Sequence, residues 1–159
     1  MILRAGPSGK ALPGLGHPNQ RKLWPRPLRE AIGARCNAIE ECYEFMLAYA
    51  GQGLAGDEGS QSGGQVRGYL NRAVEALSGL ASAYAAVVKQ ENLQPAESYD
   101  AFLNVLDRDA RDSQAAIQLV LAQPTLSSQL IDNLNASIHL RALLTDVFLV
   151  DEIMKLRNL

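Results

Sequence analysis

Apolar side chains recur at intervals of three or four residues along most of the chain from Leu28 onward, and this spacing limits the possible folds more than any other feature. A repeat near 3.6 residues places these side chains on one face of an α-helix, whereas a half-buried strand needs strict alternation. No segment shows that strand pattern. Aromatic residues make up only 6% of the chain, while alanine and leucine are plentiful, which also favours helices. The sequence therefore predicts an all-α protein.

Prolines and glycines divide the helical pattern into four segments. The first segment begins near Pro27 and ends before Gly51, and the second follows the glycine-rich stretch 51–64, which is expected to be a mobile loop. Pro95 and Pro124 mark the starts of the third and fourth segments, since proline is favourable in the first turn of a helix. Short connections force neighbouring helices to run antiparallel. We therefore predict an up-down-up-down four-helix bundle over residues 26–159.

Residues 1–25, called the leader below, have a different composition. Five of the seven prolines lie within the first 27 residues, with glycines between them. Proline lacks a backbone donor and glycine is costly to order, so the leader is expected to be extended or disordered. Acidic residues begin only at Glu30, and six basic residues precede it. The chain thus joins a basic leader to an acidic body.

The end of the leader is the predicted partner-binding segment. Arg21, Lys22 and Arg26 surround Trp24, the only tryptophan, so cations and a large apolar ring occur together. Such a segment is typical of a peptide that binds an acidic protein surface, and it can equally dock on its own acidic body. A third possibility is contact with nucleic-acid phosphates. The isoelectric point near 5.7 argues against a dedicated nucleic-acid-binding protein.

The fourth helical segment carries two apolar rows, which predicts cover on two sides. One row contains Ile131, Ile138, Leu149 and Leu156, and the other contains Leu140, Leu144, Val147 and Met154. We predict that the second row forms the interface of a homo-oligomer, most simply a two-fold dimer. The alternative is that both rows pack against other parts of the same chain.

Four acidic residues give an alternative, enzymatic interpretation. Glu41 and Glu44 form a Glu-x-x-Glu pattern, and Glu97 and Asp100 form a Glu-x-x-Asp pattern. All-helical nucleotide pyrophosphohydrolases use such patterns to hold magnesium. The Glu-x-x-His pattern of di-iron bundles does not occur in the sequence. Solvent-exposed helix faces explain the same carboxylates, so we predict no metal site, catalytic residue or cofactor.

A polar row on the fourth segment, formed by Asp132, Asn135, His139 and Asp146, can be either an exposed face or a buried proton-active site. Cys36 and Cys42 lie six residues apart, a spacing that prevents a disulfide within one helix and matches no zinc pattern. They are predicted to be buried, reduced thiols. No run of about 18 apolar residues is present, so we predict no membrane span and a cytoplasmic location.

These observations favour a non-enzymatic interaction or assembly protein that self-associates and engages a partner through its leader. The alternative is a metal-dependent hydrolase of the nucleotide pyrophosphohydrolase type.

Overall fold

The computed structural model describes residues 26–157, and every regular element in this range is an α-helix. The helices are α1 (Arg26–Ala50), α2 (Gly63–Leu77), α3 (Leu80–Gln90), α4 (Ala96–Leu121), α5 (Ser128–Asn135) and α6 (Ile138–Leu156). The predicted all-α class is confirmed. The leader lies outside the described residues.

Two of the four predicted helices are interrupted, which gives six helices in the described range. The second predicted helix breaks at Gly79, whose φ of 73° lies in the left-handed region that residues with a Cβ atom rarely adopt. The fourth breaks at Ser137, whose ψ of 139° is extended. Both breaks fall inside continuous apolar patterns, so the periodicity alone gave no sign of them.

A single hydrophobic core joins all six helices. α1 packs against α2, α3 and α5, whereas α4 packs against α2, α3 and α6. Tyr49 and Tyr84 are the largest fully buried side chains. Each fully buried Leu, Ile, Val or Met side chain stabilises the fold by about 1.5–3 kcal/mol relative to the exposed side chain. Cys36 and Cys42 are buried and unpaired, as predicted.

The glycine-rich connection between α1 and α2 is anchored to the core, although the sequence predicted a mobile loop. Asp57 accepts hydrogen bonds from the Leu126 backbone N–H at 2.7 Å and from Arg67 Nε at 2.7 Å. The Ser128 hydroxyl accepts from the Leu54 backbone N–H at 2.8 Å. These contacts connect the loop to α2, to the segment that precedes α5 and to the first residue of α5.

Among the described helices, none is both long enough and apolar enough to cross a membrane.

Candidate functional site

An apolar groove separates the first half of α1 from the last half of α6, with α3 as its floor. It is lined by Arg29, Ile32 and Gly33 of α1, Tyr84 and Val87 of α3, and Asp151, Met154 and Lys155 of α6. Its volume is about 170 Å³. We call this feature the α1/α6 groove. The groove exists because α6 packs mainly against α4, so that the side of α6 that faces α1 does not pack closely against it.

A chain of three polar groups crosses the floor of this groove. The Tyr84 hydroxyl donates to Asp151 Oδ1 at 2.6 Å and lies 3.4 Å from Cys36 Sγ. Burial, followed by the hydrogen bond to Asp151, raises the pKa of Tyr84. Burial also raises the pKa of the Cys36 thiol to about 11. Cys36 is therefore a neutral thiol near pH 7 and a poor nucleophile. The hydrogen bond from Tyr84 positions the Asp151 carboxylate.

The basic residues at the rim of the groove have acidic partners, whereas Asp151 has no basic partner among residues 26–157. Arg29 Nε donates to Glu91 Oε1 at 2.6 Å, and Lys155 Nζ lies 3.9 Å from Glu152 Oε2. Asp151 forms no ion pair with any described side chain. The α1/α6 groove thus presents an apolar surface together with one carboxylate that has no cationic partner within residues 26–157.

No known protein family, curated protein or solved structure matches this chain. Its residues and their geometry therefore carry the functional argument.

A second groove lies on the other side of Met154, between α3, α4 and α6. Its walls include Phe102 and Ile153, and its volume is about 270 Å³. At one end, Arg157 donates to the Gln94 carbonyl at 2.7 Å, and its guanidinium lies 5.5 Å from the centre of the Tyr99 ring. This contact fixes the last turn of α6 against the start of α4.

The four residues predicted to form an oligomer interface lie in the core of the single chain. Leu140, Leu144, Val147 and Met154 are all buried there. The exposed apolar side chains of α6 come mainly from the other row: Ile138 is 75% exposed, Leu149 49% and Leu156 62%, and Phe148 beside them is 55% exposed. The four residues predicted for the interface therefore face inward, whereas the other row is divided: Ile131 on α5 is buried, and its three remaining members are exposed.

The acidic residues of the enzymatic interpretation are not gathered into a site. Glu41 and Glu44 are exposed on α1, and Glu97 and Asp100 are exposed in the first turns of α4. Within residues 26–157, no group of three or more His, Cys, Asp or Glu side chains could hold a metal ion. These four carboxylates therefore do not form a metal-binding cluster in the described part of the chain.

The predicted polar row is divided between surface and interior. Asp132 is exposed, whereas Asn135 is buried at the end of α5. His139 Nδ1 lies 4.0 Å from Asp112 Oδ2 on α4, and both side chains are about half exposed. Farther along the same contact, Asp146 lies near Asp109 of α4, and its Oδ2 atom is buried without a hydrogen-bond partner among the described residues. Burial, and then Asp109, raises the pKa of Asp146 to about 7.

The predicted partner-binding residues Arg21, Lys22 and Trp24 lie outside the described residues, while Arg26 is the first residue of α1. The α1/α6 groove is not apparent from the sequence, because its walls come from three helices that are distant in the chain. The one local signal is Gly33, which interrupts the bulky side chains of α1 with an empty position.

Proposed function

We propose that this protein is a non-enzymatic helical assembly protein that self-associates through the outer face of α6. The observation that carries the proposal is a set of four exposed apolar side chains on a helix whose opposite face already fills the core. We call this set, formed by Ile138, Phe148, Leu149 and Leu156, the apolar stripe; exposed polar residues lie between its members. Exposed apolar side chains grouped on one helix face are typical of interaction surfaces.

The outer face of α6 is also self-complementary. Arg141 and Glu152 are exposed and lie almost equally far from Val147, near the middle of the helix, as do Ile138 and Leu156. If two copies of α6 pack antiparallel about a two-fold axis near that point, Ile138 meets Leu156 and Arg141 meets Glu152 in both directions. An isologous interface requires this kind of pattern.

A neighbouring exposed side chain extends the same surface. Leu119 of α4 is 68% exposed and borders a shallow depression that it shares with His139. The antiparallel contact between α4 and α6 therefore widens the apolar stripe beyond a single helix. Removal of this surface from water provides the driving force for association.

The solution mass of the full chain, measured by light scattering, tests the proposal. We expect a dimer for the native protein and a monomer for Leu149→Glu, because a charge at the centre of an apolar interface is costly to desolvate. Leu47→Glu is the matched control, since Leu47 is also 49% exposed but lies on α1. The control should remain dimeric. A monomeric native protein, or equal masses for both variants, would refute the proposal.

A charge exchange tests the two-fold arrangement itself. Arg141→Glu should weaken the dimer by placing like charges opposite each other, and the double variant Arg141→Glu with Glu152→Arg should restore it. Restoration requires that the two residues face each other across the interface.

The leader and the arrangement of the bundle complete the proposal. The basic segment around Trp24 engages an acidic protein partner in the cytoplasm, as its cations and aromatic ring suggest. α2 with α3, and α5 with α6, each act as one broken helix of an up-down-up-down bundle. The acidic composition of the body supports a protein partner over a nucleic acid.

A further inference from the structure

We propose that the end of the leader docks in the α1/α6 groove of its own chain, with the Trp24 ring against the apolar floor and Arg21 or Lys22 opposite Asp151. This inference goes beyond the proposed function, because docking within one chain requires neither self-association nor an external partner. It supplies a resting position for the segment that the proposed function assigns to partner binding.

The position of the groove along α1 matches the reach of the leader. Arg26 begins α1, and the groove starts one turn later at Arg29 and continues to Gly33. Seven residues of helix rise about 10 Å, a distance that about three residues of extended chain can cover. A leader that turns back at Pro25 therefore places Trp24 beside Arg29 and residues 21–22 beside Gly33.

The groove has room for an aromatic ring. Its volume is about 170 Å³, and a cavity of about 150 Å³ lined by apolar side chains holds a benzene molecule. Gly33 contributes to this space, because a Cβ atom added there would have no neighbouring atom within 4 Å. Ile32, Val87 and Met154 provide the apolar surface that a tryptophan ring requires.

The charges of the groove and the leader are complementary. Asp151 has a hydroxyl partner, Tyr84, but no basic partner among the described residues, and Arg29 and Lys155 are already close to Glu91 and Glu152. The leader contains lysine and arginine but no aspartate or glutamate. A cation from residues 21–22 would pair with Asp151 beside an apolar surface, where water screens the attraction less than it does at an open surface.

The fluorescence of Trp24 tests docking directly, because the chain has no other tryptophan. In the full-length native protein we expect a blue-shifted emission and weak quenching by acrylamide, as for a ring shielded from water. Gly33→Leu should fill the groove, shift the emission to the red and raise the quenching constant several-fold. The helix itself should tolerate this change, since leucine has a higher helix propensity than glycine and a Cβ atom at this position has no neighbour within 4 Å.

Gly68→Leu is the matched control. Gly68 also lies within a helix, and a Cβ atom there likewise has no neighbour within 4 Å, but it is on α2 and outside the groove. Its fluorescence should equal that of the native protein. Far-ultraviolet circular dichroism of both variants checks that they are folded.

Two further measurements complete the test. Asp151→Asn should raise the quenching constant of Trp24 and make it insensitive to salt, whereas the native value should rise with added salt. Dilution should leave the native emission unchanged.

A solvent-exposed Trp24 in the native protein, or no difference between Gly33→Leu and Gly68→Leu, would overturn the proposal. A concentration-dependent emission would also overturn it, since the leader would then dock on a second copy. Because light scattering reports association separately, failure of one proposal leaves the other measurable.

Discussion

At the scale of single residues, Asp57 shows how one carboxylate can order a glycine-rich loop. One oxygen accepts from the Leu126 backbone and the other from Arg67, while Arg67 also donates to the carbonyls of Leu121 and Gln123 at 2.9 Å each. The loop, the start of α2 and the end of α4 are thereby joined around one ion pair. The Asp57–Arg67 ion pair and its backbone hydrogen bonds are expected to contribute far more to the stability of the fold than a surface ion pair does.

We predict that Asp57→Ala lowers the free energy of unfolding by about 1.5–3 kcal/mol, because two buried or half-buried donors lose a charged acceptor. Asp107→Ala, which removes only an exposed pair with Arg111 on one helix, should change it by less than about 0.5 kcal/mol. Urea unfolding of both variants measures the difference. Equal effects would contradict the role assigned to Asp57.

The same substitution should have a pH signature. The hydrogen bond from the Leu126 backbone, assisted by Arg67, lowers the pKa of Asp57 below its ordinary value. A carboxylate with a lowered folded pKa stabilises the protein above the unfolded pKa, near 4, and loses that contribution as the pH falls through the folded pKa. The stability difference between native and Asp57→Ala protein should therefore shrink below about pH 4.

Asp146 should have the opposite pH dependence. Its pKa is raised from 3.8 to about 7, so the folded state retains a proton that the unfolded state releases. Native stability should therefore fall as the pH rises from about 4 to about 7. Asp146→Asn removes this titration, so the free energy of unfolding of the variant should rise relative to that of the native protein across that interval. Urea midpoints at pH 4 and pH 8 give the comparison, and a constant difference between them would contradict this assignment.

At the scale of helices, the breaks that divide the predicted second and fourth helices have different causes. Gly79 occupies a left-handed conformation, and Ser78 before it is extended, so α2 ends and α3 begins in a new direction. At the second break, Ser137 is extended before α6. The first break depends on the residue type, whereas the second uses a conformation open to any residue.

We predict that Gly79→Ala destabilises the protein by about 1 kcal/mol, because alanine is strained at positive φ although its side chain has space. Gly68→Ala within α2 should instead stabilise it by about 0.5–1 kcal/mol. Chemical denaturation of the two variants should give shifts of opposite sign. Shifts of the same sign would show that the backbone conformation at Gly79 does not control the break.

At the scale of the whole molecule, α6 links the two proposed interactions. Its inner face fills the core, its outer face carries the apolar stripe, and one flank forms a wall of the α1/α6 groove. The stripe and the groove involve different side chains, so association and leader docking can occur independently. Leu149→Glu should accordingly change the mass and leave the emission of Trp24 unchanged, whereas Gly33→Leu should do the reverse.

The sequence by itself determined the all-α class, the ends of α1 and the start of α4, and the presence of two apolar rows in the last predicted helix. These features depend on local periodicity and on proline and glycine, whose effects act within a few residues. The buried state of Cys36 and Cys42 could also be predicted, because both fall within or beside the apolar stripe of α1.

Only the tertiary structure decided which row of α6 faces inward, because both rows have similar hydrophobicity and the choice depends on where α3 and α4 lie. It also decided that Asp57 holds a glycine-rich loop in place. The α1/α6 groove arises in the same way, from an incomplete approach of two helices more than 80 residues apart in the chain. Such contacts depend on the packing of distant segments, which local periodicity does not encode.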